Sequence, residues 1–405
     1  MPMLGGIPGH PKSKVLLTGG TGFIASHILD HLLKCGFDVV VTARSQAKGE
    51  RILASIANAP NVINSIGCKV TYAVVDNIAQ PGAFDEAITT NLPLDYCIHT
   101  ASPYQLSFSD PLNDCLLPAV NGTISLLSSL HQHASPFLSR VVFTSSSAAI
   151  LNPPHHRDVY DESSWPDDEV LNWDMAKDPA SAPGDATYRA SKKFAEQAAW
   201  KFMEEHRPSW DLATINNTYT FGPLPRSLEV VRGGTGGEDV QVKVNTSNER
   251  IVDCLTGKWA EEIPPTAPVF TFVDVRDVAV AHVRAMTRPE AGGKRFYVVG
   301  GYFSNARIAG IVHGLLDKKG EKEEEKDLAE MLCGDCLMYN DFPDNHWSFD
   351  NTRSKEVLGL EYRELSQSVV DTVRSLRAMG IGKGVVQIGR HWYRGPESDE
   401  GSLPN

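Results

Sequence analysis

The sequence of 405 residues lacks the features of several protein classes. It has no run of eighteen apolar residues, which a membrane-spanning helix would need, so we expect no membrane association. Basic residues are in the minority: 38 Lys and Arg stand against 50 Asp and Glu, a formal net charge of −12. Nucleic acid is also negatively charged, and we therefore expect no nucleic-acid partner. The first residues contain no apolar core of signal-peptide length.

Cysteine is scarce, with seven scattered residues. An odd number at irregular spacing, partly in apolar segments, is typical of a reduced, cytoplasmic protein. Cys333 and Cys336 form a single C-x-x-C pair. A zinc site would need two further ligands nearby, and a redox motif would open a helix after a strand. Neither context is present, so we interpret both as structural thiols and predict no metal.

The first half of the chain alternates strand-like and helix-like patterns. Apolar runs such as KVLLTGG, DVVVTAR, CKVTYAVVD, LDYCIHTAS and RVVFTSSSAAI are separated by segments with apolar residues at helical spacing. Continuous apolar strands between helices predict a parallel sheet covered on both faces. The predicted fold class is α/β, a doubly wound Rossmann sheet with a smaller C-terminal domain.

The alternation weakens after Gly222, which suggests a division of the chain. We predict that residues 1–222, joined by 269–287, form the Rossmann domain. Residues 223–268 and 288–385 are predicted to form the smaller domain, and 386–405 a flexible tail.

A glycine turn, TGGTGFIAS, follows the first strand and leads directly into a helix. Glycine lets the backbone approach a pyrophosphate closely, and the helix N-terminus offers free N–H groups and a favourable dipole. The predicted cofactor contacts here are Gly19, Thr21, Gly22, Phe23 and Ile24.

The end of the second strand distinguishes NAD from NADP. An acidic residue there would bind the ribose 2′-hydroxyl of NAD, but VVVTARSQAK has none. Arg44 and Lys48 stand there instead, and a guanidinium and an ammonium suit a 2′-phosphate. The sequence therefore predicts NADP(H) as the cofactor.

Two further strand ends contribute to the predicted cofactor site. Asp76 and Asn77 follow the third strand, where they could meet the adenine edge. Thr100, Ala101 and Ser102 follow the fourth, where small residues can run beside ribose and phosphate. Ligands bind outside the carboxyl ends of such strands.

The reaction chemistry is predicted from the fifth strand and a later helix. Ser145, Ser146 and Ser147 end the strand, and a hydroxyl there can bond a substrate carbonyl oxygen. Neighbours on a strand point to opposite sides, so not all three can face the site.

Tyr188 and Lys192 are four residues apart, on one helix face. An ammonium favours the phenolate, so the tyrosine can give a proton to a carbonyl oxygen while hydride reaches the carbon.

The lysine of this pair could also hold the nicotinamide ribose. Lys193 follows directly on another helix face, and we expect it to be solvated.

Together these motifs resemble the extended short-chain dehydrogenase/reductases, most of all the dihydroflavonol reductase-like branch with its fungal NADPH-dependent aldehyde, ketone and methylglyoxal reductases. The resemblance covers roughly residues 14–378 and includes VVFTSSSAA, YRASKKFAEQAAW and FTFVDVRDVAVAH. It implies an NADP-binding Rossmann domain and a small C-terminal substrate domain. It also implies that Ser146, Tyr188 and Lys192 are catalytic, and that Arg44 and Lys48 grip the 2′-phosphate.

One departure from the branch concerns the nicotinamide. Asn217, in INNTYTFGP, stands where this branch usually has a proline beside the ring, and we expect Asn217 to contact the cofactor. Aromatic residues after several strands are the candidates for substrate contact: Tyr104, Trp165, Tyr219 and Phe221. They favour an apolar or aromatic ketone or aldehyde as substrate.

The leading hypothesis is an NADPH-dependent carbonyl reductase, working reversibly as an alcohol dehydrogenase. The alternative within the superfamily is a nucleotide-sugar epimerase or dehydratase, which usually holds NAD and carries an acid after the second strand. A third hypothesis is a non-catalytic NADP-sensing regulator, although such proteins often lose the tyrosine or lysine. The sequence leaves the substrate and the oligomeric state open.

Overall fold

A computed structural model describes residues 12–57, 67–102, 109–178, 185–225, 244–259, 262–266, 269–317 and 346–381. The strands within these ranges are β1 (Lys14–Thr18), β2 (Asp38–Ala43), β3 (Val70–Val74), β4 (Tyr96–His99), β5 (Arg140–Thr144), β6 (Val159–Tyr160), β7 (Asp211–Asn217), β8 (Tyr219–Phe221), β9 (Thr271–Asp274), β10 (Lys294–Val298), β11 (Gly301–Tyr302) and β12 (Ser348–Phe349). The helices are α1 (Phe23–Lys34), α2 (Gln46–Ala57), α3 (Asp85–Thr89), α4 (Leu117–His133), α5 (Trp173–Ala176), α6 (Ala186–His206), α7 (Thr246–Leu255), α8 (Val275–Thr287), α9 (Asn305–Asp317), α10 (Thr352–Leu358) and α11 (Leu365–Ala378).

Seven strands form one parallel sheet in the order β10-β7-β5-β4-β1-β2-β3. The order reverses beside β1, since β2 and β3 lie on one side of it and β4, β5 and β7 on the other. Ligands of doubly wound sheets bind outside the carboxyl ends of the strands at this switch point. The predicted α/β Rossmann fold is confirmed.

Both faces of the sheet are apolar, which explains the continuous apolar strands in the sequence. Leu17 packs with Ile28 of α1 and Val278 of α8 on one face. Its neighbour Leu16 packs with Leu126 of α4 on the other. Because side chains alternate along a strand, one run of Val and Leu fills two cores.

A smaller layer follows the central sheet. Its three-stranded sheet has the order β11-β9-β8, and a further cluster of buried apolar side chains from α7, α9 and α11 packs with it. Phe221 and Phe303 contact edge to face at its centre, with 5.0 Å between ring centroids. This layer begins immediately after β7, so it stands next to the carboxyl edge of the central sheet.

Two details differ from the predicted division of the chain. Strand β10, predicted in the smaller domain, pairs in parallel with β7 as the edge of the central sheet. Strands β8 and β9, both predicted with the Rossmann domain, lie with β11 in the smaller sheet, whereas the following α8 packs on α1. An apolar run of four or five residues fits either sheet, so its pattern alone does not assign it.

Helix α6 has a defined C-terminal end. It stops at Arg207, whose φ of 42° lies in the left-handed region, and Pro208 follows. No helix in the described ranges is long and apolar enough to span a membrane.

Candidate active site

The glycine turn lies between β1 and α1, at the switch point of the sheet. Gly19 has φ +71°, and a Cβ there would stand 3.0 Å from backbone atoms of Ala101. Only glycine fits such a close approach in this conformation. Gly22 is the exposed N-cap of α1 and has no side chain to bond the first N–H groups of the helix. Those donors are therefore available to an anion.

The segment after β4 is tied to the end of β1. Thr18 Oγ1 accepts hydrogen bonds from the backbone N–H groups of Thr100 and Ala101, both at 3.1 Å. Thr100 Oγ1 in turn donates to Thr18 O at 2.6 Å. This cross-connection holds Thr100 and Ala101, two of the residues predicted to run beside the cofactor, against the glycine turn.

The predicted adenosine contacts stand at the ends of β2 and β3. Arg44 is exposed directly after β2, and Lys48 is half-buried on the first turn of α2. Asp76 and Asn77 are exposed after β3, where Asp76 Oδ1 accepts the N–H of Asn77 at 2.8 Å. No carboxylate lies directly after β2, so a phosphate could bind beside Arg44 without repulsion. The residues present fit a dinucleotide with a 2′-phosphate.

Side-chain partners distinguish two of the three serines at the end of β5. Ser145 donates its hydroxyl proton to Glu196 of α6. Ser146 caps a short 3₁₀ turn, Ser147–Ala149, and its Oγ accepts from Ala148 N at 3.1 Å. The hydroxyl proton of Ser146 is not used by this bond. The geometry therefore favours Ser146 as the hydroxyl that can donate to a substrate.

Helix α6, which carries the acid candidate, is in contact with the serine turn. The 3₁₀ turn packs against α6, and this helix carries Tyr188, which is half-buried, and Lys192, which is buried. Burial lowers the pKa of Lys192 to about 8, while the charges of Cys115 and Glu196 oppose the decrease. The ammonium is thus held in a place of low polarity, where it interacts strongly with any nearby negative charge.

The prediction that Lys193 is solvated is wrong. Its side chain is only 1% exposed. Nζ lies 2.7 Å from Asp168 Oδ1 and donates to Leu171 O at 2.8 Å. The residue does point away from the Tyr188 face, but the segment that follows β6 covers that side of the helix.

A buried polar network behind the serines was missed by the sequence analysis. Its centre is Glu196, one turn beyond Lys192, whose Oε1 lies 2.7 Å from Arg295 Nε. Thr214 and Asn216 of β7 donate to the same carboxylate at 3.0 and 2.7 Å. The signal that could have revealed it is a charged residue in the apolar pattern KRFYVV, because a buried charge needs a partner.

The same arginine fastens the segment that follows β5. Arg295 Nη1 donates to Glu162 O and Ser164 O, both at 2.7 Å, and Nη2 donates to Ala149 O at 2.9 Å. The backbone of the serine turn and of the long insertion therefore share one rigid anchor.

Trp165, one of the predicted substrate contacts, lies beside the buried polar network. Its ring lies under the Arg295 guanidinium, 3.7 Å from the ring centroid. It also lines a cavity of about 700 Å³ together with Gln197. Tyr188 and Gln197 are nine residues apart, on opposite sides of α6. The cavity is therefore not on the Tyr188 side, and the Trp165 ring packs on Arg295 of the buried network.

The aromatic residues of β8 belong to the smaller layer. Phe221 has no exposed surface and packs between Phe272 and Phe303, so the prediction that it contacts substrate is corrected. Tyr219 is half-buried against Phe303 and the Arg250 guanidinium, and it stays a candidate. Tyr104 lies outside the described residues.

Comparison with known proteins identifies the family. Residues 15–300 match the NAD dependent epimerase/dehydratase family. The chain belongs to this family. This confirms the predicted membership of the extended short-chain dehydrogenase/reductases.

Several characterised relatives match nearly the whole chain. Ketoreductase azaE of Aspergillus niger is 43% identical over 368 residues, 91% of this chain and 98% of the relative. The NADPH-dependent methylglyoxal reductase GRE2 of Saccharomyces cerevisiae is 32% identical over 378 residues, with 89% and 97% covered. A crystal structure of Gre2 from Candida albicans with NADPH superposes with a TM-score of 0.71 at 30% identity, covering 90% of this chain and 99% of that one.

Proposed function

We propose that this protein is an NADPH-dependent carbonyl reductase that reduces a ketone or aldehyde to an alcohol. The observation that carries the proposal is the packing of the Ser146 turn against the helix that bears Tyr188 and Lys192. This packing takes place at the edge of the sheet where the glycine turn lies. The ketoreductase and methylglyoxal reductase relatives support the same reaction class.

NADPH binds along the carboxyl edge of the sheet in this proposal. The turn from Gly19 to Ile24 holds the pyrophosphate, Arg44 and Lys48 hold the 2′-phosphate, and Thr100 to Ser102 flank the ribose and phosphate. When bound, the nicotinamide supplies the hydride.

Each catalytic side chain has a separate task. Ser146 donates its free hydroxyl proton as a hydrogen bond to the carbonyl oxygen, which orients the substrate and stabilises the negative charge that develops there. Tyr188 transfers its phenolic proton to that oxygen. The Lys192 ammonium stabilises the phenolate left behind, and the low polarity around it strengthens this effect.

The epimerase or dehydratase alternative is less supported. The end of β2 carries Arg44 in place of an acid, and the reductase relatives cover nearly the whole chain. A regulator without catalysis would have no need of the Ser146, Tyr188 and Lys192 set. We further propose an apolar or aromatic substrate.

We also propose a cytoplasmic location, because every cysteine that the structure describes is a free thiol.

A panel assay tests the reaction class. The purified protein is mixed with NADPH and a series of aldehydes and ketones, and absorbance of the reduced nicotinamide is followed. We expect some of the aldehydes or ketones to cause oxidation of NADPH. NADH should be oxidised only weakly by the same compounds. Binding of NADPH without oxidation by any member would favour the regulator.

A further inference from the structure

A buried amide at the end of β7 has one hydrogen-bonding group without a partner in the described part of the chain. Asn217 is 8% exposed. Its Nδ2 donates to Thr220 Oγ1 at 3.0 Å, whereas its buried Oδ1 receives no hydrogen bond from the described residues. Buried amide oxygens are nearly always paired, so this oxygen is available to a donor from outside the described residues.

The Thr220 hydroxyl determines which end of the amide is unpaired. It donates its single proton to Thr218 O at 2.9 Å, so toward Asn217 it can only accept. The amide nitrogen must therefore face Thr220, and the oxygen must face away. The unpaired group is an acceptor, which excludes a carbonyl or carboxylate as its partner and requires an N–H or O–H donor.

The position of this acceptor relates it to the reacting end of the cofactor. Ser145 N donates to Ile215 O at 2.9 Å, and Asn216 Nδ2 donates to Ser146 O at 3.3 Å. Asn217 thus directly follows the residue that touches the backbone of the proposed catalytic serine. Since Asn216 points toward Glu196, the side chain of Asn217 leaves from the other face of the strand.

We propose that Asn217 Oδ1 accepts a hydrogen bond from the carboxamide N–H of the nicotinamide and so sets the orientation of the ring. The inference rests on the proposed function, because NADPH brings the donor. A carboxamide nitrogen carries two N–H groups, which matches an unpaired acceptor at the carboxyl edge of the sheet. A proline at this position would offer no side-chain acceptor.

Equilibrium binding without substrate tests this contact. The probes are NADPH and its reduced 3-acetylpyridine analogue, in which a methyl group replaces the carboxamide amine and both N–H donors are lost. Wild type and Asn217→Leu are titrated with each, and quenching of protein fluorescence gives Kd. Leucine has the same branched arrangement of side-chain heavy atoms and removes the acceptor; Asn217→Gln is the variant that keeps an amide, with its acceptor oxygen and its N–H donors.

The wild type is expected to bind NADPH about 5- to 10-fold more tightly than the analogue, the usual effect of one hydrogen bond. Asn217→Leu should lose this preference by binding NADPH more weakly, with little change toward the analogue, and Asn217→Gln should keep more of the preference than Asn217→Leu does. Equal affinities in the wild type, or an unchanged preference in Asn217→Leu, would overturn the inference. Failure of the wild type to bind either nucleotide would instead refute the proposed function.

Discussion

Arg295 Nε and Glu196 Oε1 lie 2.7 Å apart, in an ion pair that is buried between α6 and the edge of the central sheet. Glu196 stands one helical turn beyond Lys192, and Arg295 bonds the backbone of the serine turn at Ala149. The pair therefore joins both proposed catalytic elements, the helix and the turn, to one strand. Its function is to hold them in a fixed relation.

Replacing Glu196 with Leu should leave the Arg295 guanidinium buried without its carboxylate. Removing one partner of such a pair costs about 3–5 kcal/mol, because the remaining charge is uncompensated. The free energy of unfolding in urea, compared with wild type, measures this loss. The control is Glu205→Gln, which breaks the exposed pair with Lys201 and should cost less than about 1 kcal/mol. Equal stability of the two variants would contradict the account.

The buried ammonium of Lys192 should make stability depend on pH in the alkaline range. Its pKa is lowered from 10.5 to about 8 by burial, so above pH 8 the folded protein holds fewer protons than the unfolded chain. Stability of the wild type should therefore rise between about pH 8 and 10.5, relative to Lys192→Met. Below pH 8 the variant should be more stable by about 3 kcal/mol, the energy that corresponds to this pKa difference.

The measurement is the free energy of unfolding of both proteins, without cofactor, from pH 7 to 10. A constant difference across this range would show that Lys192 is not held at a lowered pKa.

Arg44 is expected to select the cofactor. Arg44→Ala should weaken NADPH binding by about 10- to 100-fold, the value of a charge-assisted hydrogen bond to phosphate, and leave NADH nearly unaffected. Dissociation constants for both nucleotides check this. Arg51→Ala is the control, since Arg51 is also exposed on α2 but its Nε bonds the backbone at Ala47 O. Equal weakening of NADPH and NADH in Arg44→Ala would refute the 2′-phosphate contact.

Lys193 should stabilise the segment after β6 without touching the reaction. Lys193→Met removes the bonds to Asp168 and Leu171 and should lower the free energy of unfolding by about 1–3 kcal/mol. Amide hydrogen exchange in residues 165–172 should accelerate, while the Kd of NADPH stays unchanged. Lys201→Met, on the exposed side of the same helix, should change neither. A loss of NADPH affinity in Lys193→Met would place this lysine in the cofactor site instead.

Short-range signals explain what the sequence predicts well. Gly19 is needed because its Cβ would collide with the backbone at Ala101, and such requirements leave a motif at a fixed spacing. Tyr188 and Lys192 lie on one helix, so their spacing alone places them on one face. The apolar runs reveal the parallel sheet, since each strand must fill two cores.

Long-range partners explain what the sequence does not reveal. Lys193 is buried because the segment that contains Asp168 and Leu171, more than twenty residues earlier, covers it. Arg295 and Glu196 are 99 residues apart, and neither residue alone indicates the other. Phe221 and Tyr219 share an aromatic pattern on one strand, yet neighbours Phe272 and Phe303 bury one of them completely. A sequence pattern indicates which residues are candidates for a site, whereas the burial of each candidate depends on the surrounding fold.

The most direct test of the proposed mechanism is Tyr188→Phe, which removes one hydroxyl and keeps the ring. The Kd of NADPH should stay within about twofold of wild type, since the phosphates are held elsewhere. Turnover of a carbonyl substrate found in the panel should fall by about 10²- to 10⁴-fold, the usual contribution of a positioned acid. Unchanged NADPH binding with turnover near the wild-type rate would contradict the assignment of Tyr188 as the proton donor.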